Sequence, residues 1–140
     1  MRIRQVIPIF RLFDEQKARE FYVDYLGFQV SFEHRLEENS PLYLGLSLGG
    51  MEILHLSEHH GDATPGSTVR LEIDDIVSFN QQLAAKTDYK YARPSIVHQP
   101  WGQREVSLKD PFGNTLIVCQ PDESILEQRR QKRAEGGDKD

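Results

Sequence analysis

Three of the five histidines fall within six positions, in the run Leu54-His55-Leu56-Ser57-Glu58-His59-His60-Gly61-Asp62. Imidazole and carboxylate donors this dense are the raw material of a divalent-metal site. The HExxH spacing that puts two imidazoles on one helical face is absent, and His59 and His60 sit among Gly, Asp and Pro, as a surface loop would. Glu72 and Glu105 are the carboxylates of interest elsewhere. Each can meet a cationic ligand or pair with Arg70, and the sequence leaves both readings open. Trp101 is the only tryptophan, between Pro100 and Gly102; its indole either stacks on a planar or cationic ligand or wedges into the core. Cys119 has no intramolecular disulfide partner and no histidine at a motif spacing, and it reads as an inert buried thiol.

These residues need elements to position them. Arg4 to Leu12 has the apolar, β-branched character of a strand, and Asp14 can cap a following helix. Ala18, Phe21, Tyr22, Tyr25 and Leu26 make one helical stripe, which Gly27 ends. Strands are expected at Phe28–His34, Leu42–Leu48 and Met51–Leu56, the last two joined at Gly49-Gly50, where both glycines accept positive φ. After the polar segment Glu58–Ser67 the order starts again: a strand at Thr68–Ile73, a helix capped by Asp74 or Asp75 with Ile76, Phe79 and Leu83 on its apolar side, then strands at Tyr91–Ile96, Glu105–Leu108 and Thr115–Cys119. Asp110-Pro111-Phe112-Gly113-Asn114 is the turn between the last two. Two copies of one element order, each about 50–60 residues, argue for internal duplication. The expected fold is α+β: two tandem βαβββ modules forming a curved, mainly antiparallel sheet with helices on its outer face. Residues 1–121 form one domain, with module one at 1–58 and module two at 67–121. Residues 122–140 add a helix over Asp122–Arg133 and a disordered polar tail over Ala134–Asp140. The basic run Arg129, Arg130, Lys132, Arg133 reads as a solvated helix face.

Strand parity sorts the side chains. Leu44, Leu46, Leu48, Leu54, Leu56, Val69, Leu71, Ile73, Val106, Leu108, Leu116 and Val118 face the helices. The other parity carries Tyr43, Gly45, Ser47, Ile53, His55, Ser57, Thr68, Arg70, Glu72, Glu105, Ser107, Thr115, Ile117 and Cys119. That polar, charged and aromatic face is either a wet ligand groove or plain solvent-exposed sheet. Phe28, Phe32 and Tyr43 are candidates for an aromatic wall, with core packing the alternative for the two phenylalanines.

The 140 residues suit one domain, and 17 basic against 22 acidic residues give a net charge of -5, unsuited to a nucleic-acid binder and compatible with a cationic ligand. Met1–Phe10 lacks the apolar length and cleavage site of a secretory signal. No apolar stretch approaches the roughly 18 residues of a membrane span. The expectation is a cytoplasmic protein with no nucleic-acid or membrane partner.

The paired modules, the run Ala18-Arg19-Glu20-Phe21-Tyr22-Val23-Asp24-Tyr25-Leu26-Gly27-Phe28 and the turn Asp110-Pro111-Phe112-Gly113-Asn114 resemble the vicinal-oxygen-chelate superfamily of glyoxalase I, extradiol dioxygenases and antibiotic resistance proteins. The resemblance covers residues 1 to about 121. Gln99-Pro100-Trp101-Gly102-Gln103-Arg104-Glu105, with the Asp110–Asn114 turn, is similar to the bleomycin resistance proteins, with Gln103 as one extra residue. That branch implies a homodimer, domain-swapped, sequestering a bleomycin-type drug in interface grooves without chemistry. The metal-dependent members carry four His or Glu ligands at places that fall here on Ile7, His55, Thr68 and Ile117. Isoleucine has no donor atom and a threonine hydroxyl is a poor ligand, so the resemblance implies no metal, no cofactor and no catalytic residue. The expected ligand-binding residues are Phe32, Tyr43, His55, Arg70, Glu72, Trp101, Gly102 and Glu105. One alternative is a glyoxalase- or dioxygenase-like enzyme with a non-standard metal site drawn from His34, His55, Glu72 and Glu105. The other is an inert accessory domain that binds a partner.

Overall fold

The first two helices each start where a carboxylate takes a free backbone amide. Asp14 accepts from the Lys17 amide at 3.0 Å and Asp75 from the Ser78 amide at 2.9 Å, which resolves the choice between Asp74 and Asp75. In the computed structural model, which describes residues 1–136, Asp14 opens α1 (Glu15–Arg19), and the chain continues unbroken into a π-helical stretch, Glu20–Tyr25. All five residues of the expected stripe, Ala18 through Leu26, are buried. Asp75 opens α2 (Ile76–Ala84), whose Ile76 and Leu83 are buried.

The strands are β1 (Ile9–Arg11), β2 (Gln29–His34), β3 (Tyr43–Leu48), β4 (Met51–Ser57), β5 (Thr68–Glu72), β6 (Val97–Gln99), β7 (Gln103–Lys109) and β8 (Thr115–Pro121). They form two four-stranded mixed sheets, ordered β1-β4-β3-β2 and β5-β8-β7-β6. In each, the first strand of the module lies parallel to the fourth and the other neighbours are antiparallel. The repeated pairing order is the duplication read from the sequence. One core, with Phe10, Leu44, Leu54 and Leu56 from module one and Ile76, Val106, Leu116 and Val118 from module two, runs through both.

Two strands differ from expectation. The first is Ile9–Arg11, with residues 2–8 outside any strand, because the ladder to β4 begins at Ile9. No strand forms over Tyr91–Ile96; β6 lies just beyond, at Val97–Gln99. Pro94 lacks an amide to donate and restricts the residue before it. The ladder forms instead beside a three-residue hairpin loop, Pro100-Trp101-Gly102, with Gln99 paired to Gln103 and Gly102 at φ 90°. Glycine at the left-handed position is what such loops require. Leu48, assigned to the core by parity, is exposed at the Gly49-Gly50 hairpin. The C-terminal helix, α3 (Glu123–Gly136), extends past Arg133, so Ala134–Gly136 are helical where a disordered tail is expected; residues 137–140 lie outside the described residues.

The Asp110–Asn114 turn joins the modules. Asp110 Oδ1 accepts from the Phe112 and Asn114 amides, each at 2.8 Å. Asp110 Oδ2 accepts from the Tyr22 hydroxyl at 2.6 Å and from Asn114 Nδ2 at 2.9 Å. Asn114 Nδ2 also donates to the Arg11 carbonyl at 3.0 Å.

Candidate functional site

The first group of side chains is set by two irregularities in the first sheet. Between β2 and β3 the register passes from Val30↔Leu46 to Phe32↔Gly45, leaving Ser31 unpaired; between β3 and β4 it passes from Leu46↔Leu54 to Ser47↔Glu52, leaving Ile53 unpaired. An extra residue in one strand of a pair switches the facing of the residues beyond it. Phe32, Gly45 and His55 thereby form one cross-strand row, and Glu52 comes to the His55 face. His55 Nε2 lies 2.9 Å from Glu52 Oε1, and His55 Nδ1 lies 2.7 Å from the Tyr43 hydroxyl. The Ser31 hydroxyl donates to Glu52 Oε1 at 3.0 Å. The Phe32 and Tyr43 rings each stand edge-on to the imidazole at 5.2 Å between centroids. A Cβ on Gly45 would come within 2.3 Å of the Phe32 ring, so only glycine lets that ring lie across the row. Burial raises the Tyr43 phenol above its ordinary pKa, with Asp62 and Glu52 adding to it. Tyr43 is therefore a neutral hydroxyl at physiological pH.

The second group lies on the regular second sheet. Glu72, Cys119 and Glu105 share one cross-strand row, and Arg70 sits on the next with Ile117 and Ser107. Arg70 Nη2 donates to Glu105 Oε2, and Gln99 Nε2 donates to Glu105 Oε1 at 3.2 Å. The hydrogen bond to Glu105 is the main reason the Arg70 guanidinium is held above its usual range. Glu72 takes both arms of Arg129, at 2.8 and 2.7 Å, which holds its carboxyl below the ordinary value. Of the two readings the sequence left open, Glu105 shows the pairing with Arg70, while Glu72 pairs instead with Arg129. Cys119 is buried, and burial raises its thiol pKa, in keeping with an inert thiol. Arg129 belongs to α3, so this helix reaches over the Glu72 face of the second sheet, although none of its residues is itself buried. Ile125 explains Gly102 further: a Cβ there would meet the Ile125 side chain at 2.9 Å. Trp101, at the hairpin tip, is 58% exposed and is no core wedge.

The expected ligand residues thus form two clusters, Phe32–Tyr43–His55 and Arg70–Glu72–Glu105, the second edged by Gly102 and Trp101. Among the described residues no hydrogen bond, ion pair or ring contact joins one to the other. Parity on regular strands missed Glu52, which shares its sequence parity with Leu54 and Leu56 and changes face only through the irregularity at Ile53. Arg129 belongs to a basic run whose composition reads as a solvated helix face, and nothing in the local sequence marks Gln99 as a partner of Glu105.

The metal of the metal-dependent superfamily members does not fit these donors. Ile7 lies just ahead of β1, and its neighbour in the ladder, Ile9, is the residue paired with His55; neither carries a donor. Ile117 is paired with Arg70, a cation, and Thr68 with Thr115. His55 is engaged on both nitrogens. Among the described residues no three His, Cys, Asp or Glu side chains are placed to hold a metal ion, so His34, His59 and His60 do not join His55 in one.

The model of a glyoxalase superfamily protein matches residues 1–124. The chain belongs to the glyoxalase superfamily. No curated protein sequence matches it. Solved structures share the fold of this glyoxalase superfamily member. It is similar to a bleomycin-binding protein complexed with bleomycin, at 25% identity and a TM-score of 0.59 over 86% of this chain and 100% of that one. It is similar to the bleomycin-binding protein of bleomycin-producing Streptomyces verticillus complexed with copper(II)-bleomycin, at 26% identity and 0.60 over 84% and 96%. An antibiotic-binding protein from Streptomyces sp. CB03234 matches at 23% identity and 0.64 over 87% and 99%. Among the described residues no helix is long and apolar enough to cross a membrane.

Proposed function

We propose that this glyoxalase superfamily protein sequesters a small, flat, partly cationic ligand of the bleomycin type, without chemistry, in a groove shared by two copies of the chain. The observation that carries the reading is the pair of separate, open clusters. Each offers polar groups with an aromatic edge, Phe32 and Tyr43 in one and Trp101 in the other, and Phe32 and Trp101 stay exposed even though α3 lies over part of the second cluster through Glu72–Arg129. A homodimer that faces one module against its partner's other module covers both aromatic edges. The two similar bleomycin-binding proteins support the ligand class. Phe32 and Trp101 stack on flat groups, while Tyr43, His55, Arg70 and Gln99 supply hydrogen bonds.

Glu72 and Glu105 take part by exchange, since each already holds an arginine. The Glu72–Arg129 pair is the more readily opened of the two, with both side chains over 40% exposed and exposed ion pairs weak. A cationic ligand group replaces Arg129 at little cost.

Isothermal titration with metal-free and copper(II)-loaded bleomycin tests the reading, alongside light scattering for the dimer. Saturable binding with one drug per chain, lost in Trp101→Ala at unchanged fold, is the expected result. A folded dimer that binds neither form sinks the drug assignment, and a folded monomer sinks the shared groove.

A further inference from the structure

A different part of the molecule carries a second site. On the outer, helical side a cleft of about 630 Å³ is lined by Glu20, Asp24 and Tyr25 from the π-helical stretch and by Lys86, Asp88, Tyr89 and Tyr91 from the segment after α2, with Ala85 and Thr87 completing it. Tyr89 stacks on Tyr25 at 4.4 Å with 20° between the planes, and Tyr91 stands edge-on to Tyr89 at 5.4 Å and 73°. Two nearly perpendicular phenol rings form the corner of an aromatic cage. Tyr25 behind them is 2% exposed, and its hydroxyl has no hydrogen-bond partner among the described residues.

The charges around this corner favour a cation. Among the described residues neither Glu20, Asp24 nor Asp88 forms an ion pair. The one ammonium in the lining, Lys86 Nζ, is directed to the helix-end carbonyls of Asp24 and Tyr25, at 3.1 and 2.7 Å. Within the cleft's own lining three carboxylates stand against one ammonium, beside ring faces that are themselves electron-rich, while Lys17 and Lys109 lie on the other side of the same Tyr89–Tyr91 corner. A strongly hydrated sodium ion gains little from ring faces, whereas an alkylated ammonium, large and weakly hydrated, gains from both.

We propose that this cleft binds a small organic cation bearing an alkylated ammonium group, with Tyr89 and Tyr91 as cage walls and Glu20, Asp24 and Asp88 supplying the field. The site shares no residue with the proposed drug groove and stands or falls separately.

Titration of the full chain with tetramethylammonium chloride, against sodium chloride at equal ionic strength, is followed on tyrosine, tryptophan and histidine ring resonances by NMR. Saturable shifts at Tyr89 and Tyr91 with the organic cation alone are expected. Tyr91 is 86% exposed, so Tyr91→Leu keeps the unfolding midpoint while affinity falls about threefold, the size of one exposed cation–π contact. Tyr91→Trp retains or improves binding. The triple change Glu20→Gln, Asp24→Asn, Asp88→Asn weakens binding further. Equal shifts with sodium, an unchanged affinity in folded Tyr91→Leu, or a response confined to Trp101 and His55 each overturn the proposal.

Discussion

Tyr22 and Asp110 show at the level of single residues why two distant motifs belong together. Phe21-Tyr22 lies in the helical signature and Asp110 opens the turn signature 88 positions later, and the Tyr22 hydroxyl donates to Asp110 in the buried interior. Tyr22→Phe keeps the ring and removes one hydrogen bond to a carboxylate, a loss of about 1.5–3 kcal/mol, measurable by urea unfolding at pH 7. Burial first, then Asp110, hold the Tyr22 phenol well above its ordinary pKa. The unfolded phenol ionises near about pH 10, so the stability it lends is complete below that pH and declines as pH climbs toward the folded value. Tyr22→Phe lacks that alkaline decline, and its deficit against the wild type narrows above pH 10; an unchanged deficit there contradicts the assignment. The sequence made the two signatures legible as a family mark. Their contact was not legible, because nothing in local spacing says which buried carboxylate a tyrosine will meet.

Elements were legible wherever a period and a cap agreed. α1 and α2 begin at aspartate caps, and the Gly49-Gly50 hairpin has φ of 59° and 79°. The sequence failed where the period itself breaks. The irregularities at Ser31 and Ile53 carry no composition signal, yet they bring Phe32 and Glu52 to His55. The segment Tyr91–Ile96 has strand-like composition around Pro94, and the ladder passes it over for Val97–Gln99. At this scale Gly102 is the test. It sits in the left-handed region at φ 90°, and α3 packs Ile125 into the space its missing Cβ would fill. Gly102→Ala costs about 1–2 kcal/mol in backbone strain alone, with overpacking against Ile125 added. Moving the hairpin tip also moves Trp101, whose emission is the only indole signal in the chain. The expected outcome is a lowered unfolding midpoint with shifted tryptophan emission in the folded state. Adding Ile125→Ala to Gly102→Ala recovers the packing part of the loss and leaves the strain.

For the whole molecule the question is which module faces which. One chain presents His55 with its aromatic edge on the first sheet and Trp101 beside Glu105 on the second. Ile9, Phe32, Val97 and Trp101 are exposed among them, an apolar patchwork that a second copy would cover. Subunit mixing decides whether the groove crosses between chains. On the proposed shared-groove dimer, His55→Ala and Trp101→Ala would each damage every groove of their own homodimer. In a mixed dimer with cross-chain grooves, one groove collects both substitutions and the other has neither. Random pairing then makes about half of the dimers mixed and returns about one quarter of all grooves to wild-type affinity. If each groove belongs to a single chain, every groove in the mixture carries one substitution and no wild-type sites return. Titrating bleomycin into the two variants, separately and after denaturing and refolding them together, reads the difference directly as recovered stoichiometry. Recovery near one quarter supports the shared groove, and zero recovery from verified mixed dimers refutes it.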